Sequence, residues 1–230
     1  MSSRLPTILD DLFPDSSPEF RAIVDAWPSA VVNQMLGLVW AGFDCLKLLP
    51  NFHQLDFSRN YAQLERSLTD LHMGEITKLW GEQSSQFQSF IPKHEAWEFS
   101  NLTSRAARPA SCDIGFVLRS NPRIRWAIEA KVLQGPAAIA GYLTDLQKYL
   151  DGVSAPFSTE AALGAYLLSG SADALFTAIS TKIAPTLICH SSFQSRPHRC
   201  SEHSRLSPPS IEGMPANFVC HHLVFCLSEQ

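Results

Sequence analysis

Apolar residues recur at helical spacing between Ser29 and Leu49, where Val32, Met35, Leu36, Val39, Trp40 and Phe43 share one broad face. Prolines at 6, 14, 18, 28 and 50 punctuate the chain around it, so residues 1–56 read as an N-terminal helical extension, separate in character from residues 57–230. A second helix is expected from Phe57 to Trp80, with Leu64, Leu68, Leu71, Ile76 and Leu79 apolar and Glu65, Arg66, Thr69, Asp70 and Lys78 polar. Three short strands follow: Ala96–Ser100, Ser111–Leu118 and Arg125–Lys131. Helical spacing returns over Ala137–Leu150 and stops at Asp151-Gly152. The continuous apolar run Ala161–Leu168 reads as a buried strand, followed by a helix at Ala172–Thr181 and strands at Pro185–His190 and Phe218–Leu227. Between the last two, Ser191–Pro215 is polar and proline-rich and reads as one long loop.

Composition narrows this α/β pattern. With 45% hydrophobic and 17% charged residues over 230 positions, the chain is neither disordered nor a charged coiled coil. Eighteen basic against 22 acidic residues give a formal charge of −4, which excludes electrostatic coating of nucleic acid by the whole surface. The start lacks a charged-then-apolar export pattern, and the apolar run Met35–Phe43 closes at Asp44, too short to span a bilayer. Six cysteines occur without C-x-x-C spacing and read as reduced, so a cytoplasmic protein without membrane contact is expected.

The informative event is an acid inside an apolar strand, since burying an ionised carboxylate requires a partner or a metal. It happens twice, at Asp113 and at Glu129, and Lys131 projects from the same strand face as Glu129. If the two strands pair as a hairpin, Asp113 lies beside Glu129. Two carboxylates in contact raise each other's pKa unless a cation neutralises them, and hard oxygen ligands suit Mg2+ or Mn2+. Lys131 beside such an ion would orient a water or stabilise charge on a phosphate.

The element order, together with Asp113, fifteen intervening residues and then Glu129-Ala130-Lys131, resembles the PD-(D/E)XK nuclease superfamily. The resemblance implies a restriction-endonuclease-like core, α-β-β-β-α-β, with a mixed central sheet flanked by helices. It also implies Mg2+-dependent hydrolysis of DNA, with RNA left open as a substrate. Asp113, Glu129 and the Ala130 carbonyl would hold the metal, Lys131 would position the attacking water, and Glu65, in Glu65-Arg66-Ser67-Leu68-Thr69, would match the family's helix acid. Cys112 stands where the family name has proline. Asp145-x-x-x-Tyr149 is similar to the Gln-x-x-x-Tyr pattern of the exonuclease branch, with Asp in place of Gln. The setting implied is the effector of a bacterial restriction or anti-phage system. The alternative is a non-catalytic module using the same scaffold to hold nucleic acid or protein.

Other residues bear on substrate and partners. Lys148 and the basic cluster Arg196, His198 and Arg199 are candidates for phosphate contact, and Arg105, Arg108, Arg119, Arg123 and Arg125 for a positive rim around the acids. Cys200-x-x-His203 with Cys220-His221-His222 has zinc-like elements, but neighbours on one strand point to opposite faces and cannot all bind one ion. The apolar N-terminal helix carries more surface than one thin layer absorbs, which points to a second copy or a partner subunit docking there.

Overall fold

A computed structural model describes residues 27–50, 52, 60–83, 85–97, 111–119, 121–205 and 214–227. Helix α1 (Ser29–Lys47) begins directly after Pro28, and α2 (Tyr61–Glu82) is capped by Asn60, whose side chain accepts the Ala62 N–H at 3.0 Å. Strands β1 (Phe90–Trp97), β2 (Ser111–Leu118) and β3 (Asn121–Leu133) form an antiparallel meander. Helix α3 (Ala140–Leu150) then crosses over to β4 (Glu160–Leu167), which runs parallel to β3. Helix α4 (Ala172–Ser180) starts at Ser171, whose hydroxyl accepts the Ala174 N–H. Gly170, at φ +86°, makes the turn into it, and a Cβ there would stand 2.8 Å from Pro136 Cδ.

The chain ends with a two-residue β5 (Ile188–Cys189), β6 (His198–Ser204) and β7 (Asn217–Cys226). Among the described residues the sheet has seven strands in the order β1-β2-β3-β4-β7-β6-β5, mixed in direction and flanked by helices, an α/β architecture. β6 corrects the expectation of a long loop over Ser191–Pro215. Its polar sequence, HRCSEHS, forms a strand because every residue from His198 to Ser204 finds a partner on the apolar β7.

Each sheet face carries its own core. Alternate residues of β3 and β4 (Trp126, Ile128, Ala130, Ala162 and Tyr166) pack with α1 and α2, whereas Ala127, Leu133, Leu163, Ala165 and Leu167 pack with α3 and α4. The N-terminal helix is therefore no separate cap. Val32, Met35, Leu36, Val39, Trp40 and Phe43 are buried in the chain's own core, Trp40 and Phe43 against Phe225 of β7, so the apolar face expected to receive a partner is already covered. Helix α1 is long and apolar enough to cross a membrane by length and composition, and half of it lies inside this core.

Candidate active site

The pairing of β2 with β3 ends at Ile114↔Ile128, one residue short of Asp113 and Glu129. There the ladder gives way to a side chain: Asp113 Oδ2 accepts the Ala130 N–H at 2.7 Å. Ile114 and Phe116 belong to the α1/α2 core and Cys112 to the other, so β2 changes face across Asp113. This twist aims Asp113 at the end of the hairpin, where the flanking helices also arrive.

Lys131, two residues beyond Glu129 on the same face, is the hub. Its Nζ lies 3.0 Å from Glu65 Oε1 of α2 and 3.2 Å from Asp145 Oδ2 of α3. Glu65 Oε2 also accepts the Val132 N–H at 3.2 Å, which fixes α2 against the strand. Asp145 is almost completely buried, and its second oxygen takes Lys148 Nζ at 2.7 Å. One turn later the Tyr149 hydroxyl accepts the Glu129 N–H at 3.1 Å and donates to the Ala162 carbonyl at 3.0 Å, tying α3 to β3 and β4.

Electrostatics follow from this crowding. Burial pushes the Asp113 carboxyl above its ordinary range, opposed by the Ala130 bond and Lys131 and reinforced by Glu65 and Asp145. Burial alone would lower Lys131, but the Glu65 hydrogen bond and the three nearby acids outweigh it and hold the ammonium above its ordinary value. Three carboxylates (Glu65, Asp113, Asp145) surround Lys131, with Lys148 on Asp145, and the formal excess of one negative charge suits a cation. All the donors are hard oxygens, so the residues fit Mg2+ or Mn2+. They are not drawn to one point, however, because Lys131 stands among them. Among the described residues, the group with ligand atoms all within 4.8 Å of one another is elsewhere: His190, His198, Cys200 and His221.

Of the expected residues, Glu65, Asp113 and Lys131 thus meet, the Ala130 N–H is held by Asp113, and Asp145 joins them, while Glu129 is placed through its backbone N–H on Tyr149. The sequence offered a signal for Asp145 in its spacing to Tyr149, but not its aim. The expected phosphate contacts fare differently. Arg196 grips Asp44 with both terminal nitrogens and lies over the Trp40 ring, while His198 is buried on β6 and Arg199 lies over Phe176. β6 is three strands from β3, about 14 Å away. His198 is therefore a core residue, and the two arginines serve local packing away from the acids. Lys148 does sit at the site, half-exposed and paired with Asp145.

Of the expected positive rim, the structure places two side chains, and neither is beside the acids. Arg119 lies over Trp80 at the far end of the hairpin, about 20 Å along the strand from Asp113. Arg125 is buried. Arg105, Arg108 and the side chain of Arg123 lie outside the described residues. No family model, curated protein or solved structure matches the chain.

Proposed function

We propose that the chain is a Mg2+-dependent nuclease of the PD-(D/E)XK type that hydrolyses DNA phosphodiester bonds. The observation that carries this reading is the meeting of Glu65 from α2 with Lys131 of β3, beside Asp113 at the end of β2. The element order from α2 to β4, an antiparallel meander followed by a helical crossover to a parallel strand, supports a restriction-endonuclease-like core. The defence setting rests on the family resemblance alone.

Asp113, Glu129, Glu65 and the Ala130 carbonyl would hold the ion. Once bound, Mg2+ or Mn2+ supplies an activated water and stabilises charge on the phosphate. Lys131 stays protonated between its acids, so it acts as a hydrogen-bond donor that orients water or the phosphate oxygen, and not as a base. Asp145 holds the ammonium in place from the opposite side. Tyr149 fixes the β3 backbone at Glu129.

The test is cleavage of plasmid and oligonucleotide DNA with Mg2+, with Mn2+ and with EDTA. Wild type should cut and EDTA should stop it, while Glu129→Ala and Lys131→Ala should each lose at least about 100-fold, the scale of removing one transition-state contact. Equal cleavage by all three proteins would refute the assignment. A wild type that binds DNA without cutting it, whichever divalent ion is present, would instead establish the non-catalytic module.

A further inference from the structure

The geometry points to a second metal site, a tetrahedral Zn2+ centre formed by His190, His198, Cys200 and His221. It does not depend on the nuclease reading. The four residues come from the turn after β5, from β6 and from β7, and their ligand atoms all lie within 4.8 Å of one another.

Three of them already approach the edges of a coordination tetrahedron. His198 Nε2 lies 3.1 Å and Cys200 Sγ 3.4 Å from His221 Nδ1. Zinc bonds of about 2.05 Å to nitrogen and 2.3 Å to sulfur put ligand atoms about 3.3 Å (N to N) and 3.6 Å (N to S) apart. With His221 Nδ1 as acceptor, His198 Nε2 and Cys200 Sγ share one lone pair. An ion among them satisfies all three groups.

The surroundings are those of a ligand set. Glu160 Oε2 lies 2.9 Å from His221 Nε2, which commits Nδ1 to the cluster as outer carboxylates do for metal-bound imidazoles. His198 is buried, and its Nε2 is the nitrogen that faces His221 Nδ1 within the cluster. His190 stacks on His198 with ring centroids 4.6 Å apart, and its Nδ1 accepts the Ser192 N–H at 3.2 Å. Ligation by His190 exchanges that bond for one to the ion. Three imidazoles and one thiolate form a borderline-soft set that favours Zn2+ over the hard ions suited to the acids at β3.

The set differs from the one suggested by sequence spacing. His203 Nε2 lies 2.7 Å from Ser201 Oγ, His222 faces Tyr142 on the other side of the sheet, and Cys220 is buried in the α3/α4 core. Only Cys200 and His221 are shared.

Full-length protein, stripped by chelator and reloaded, should retain one zinc per chain through desalting. Loading should raise the thermal midpoint by about 5 °C. The Co2+ form should show strong visible bands of a tetrahedral site and a near-ultraviolet thiolate band that Cys200→Ser abolishes. His190→Ala should weaken zinc binding at least tenfold, whereas Asp113→Asn/Glu129→Gln should keep its zinc, separating this centre from the acidic site. X-ray absorption on the wild type should read one sulfur and three nitrogens, independently of how any variant folds. Sub-stoichiometric zinc in wild type, unchanged binding in both Cys200→Ser and His190→Ala, or zinc lost from the acid-site variant would overturn the proposal.

Discussion

Asp113 ionises against its surroundings, and this has a measurable cost. Its folded pKa lies above the ordinary carboxylate value, so the unfolded chain releases that proton more readily. Stability therefore falls as pH rises from the ordinary carboxylate range through the folded value, and it stays lower above it. Asp113→Asn should remove that fall, gaining on the order of 1 kcal/mol in urea unfolding at pH 8 and little at pH 3, while abolishing cleavage. Lys131 works in the opposite sense. Lys131→Met leaves Glu65 without its cation and Asp145 with Lys148 alone, and should cost about 2 kcal/mol, of which adding Asp145→Asn should recover part. Asp113 and Glu129 could be read from sequence because charge inside an apolar strand has few explanations. Asp145 could not, since an acid on an amphipathic helix is solvated by default and only the seating of α3 turns this one inward. Arg196 and Arg199 misled for a related reason: their counterparts, Asp44 and the Phe176 ring, lie far away in sequence.

At the level of elements, β2 was readable to the residue over Ser111–Leu118, because an apolar octapeptide bounded by loops leaves little choice. β1 was displaced, its observed span Phe90–Trp97 lying mostly before the expected Ala96–Ser100, whose last three residues lie outside the described ones. Its own alternation is blurred by Pro92, Lys93 and His94. β6 was missed altogether, since its pattern is imposed by β7. The α1–α2 crossing was equally hidden. It depends on Gly42, where a Cβ would stand 2.7 Å from Ile76 Cγ1 and 3.3 Å from the Ile76 nitrogen. Gly42→Ala should force the helices apart and cost about 1–3 kcal/mol. Gly37, on the same helix, has nothing within 4 Å of a built Cβ, and Gly37→Ala should stabilise by roughly 0.5–1 kcal/mol. Opposite shifts of the thermal midpoint in the two variants would check the packing of α1.

For the molecule as a whole, one buried imidazole reports on the assembly of two helices with the sheet. His72 of α2 is fully enclosed, with Nδ1 2.8 Å from the Tyr166 hydroxyl of β4 and Nε2 2.8 Å from the Val39 carbonyl of α1. Burial lowers its pKa to about 4, so between there and 6.5 the unfolded chain binds a proton that the folded one does not. Its contribution is complete above pH 6.5 and is lost as pH falls towards 4, about 3 kcal/mol in all. Denaturation titrations of wild type and His72→Gln should differ in slope within that window and run parallel above it. The rims of the sheet carry a separate consequence. Among the described residues, one rim, β5, is only two residues long, and the other, β1, carries Pro92, the exposed Lys93 and a left-handed kink at Glu95 (φ +45°). A proline withholds an amide, a lysine resists burial and a kink spoils a straight template. A second copy meeting either of these two borders therefore finds no long, straight row of amides on which to stack.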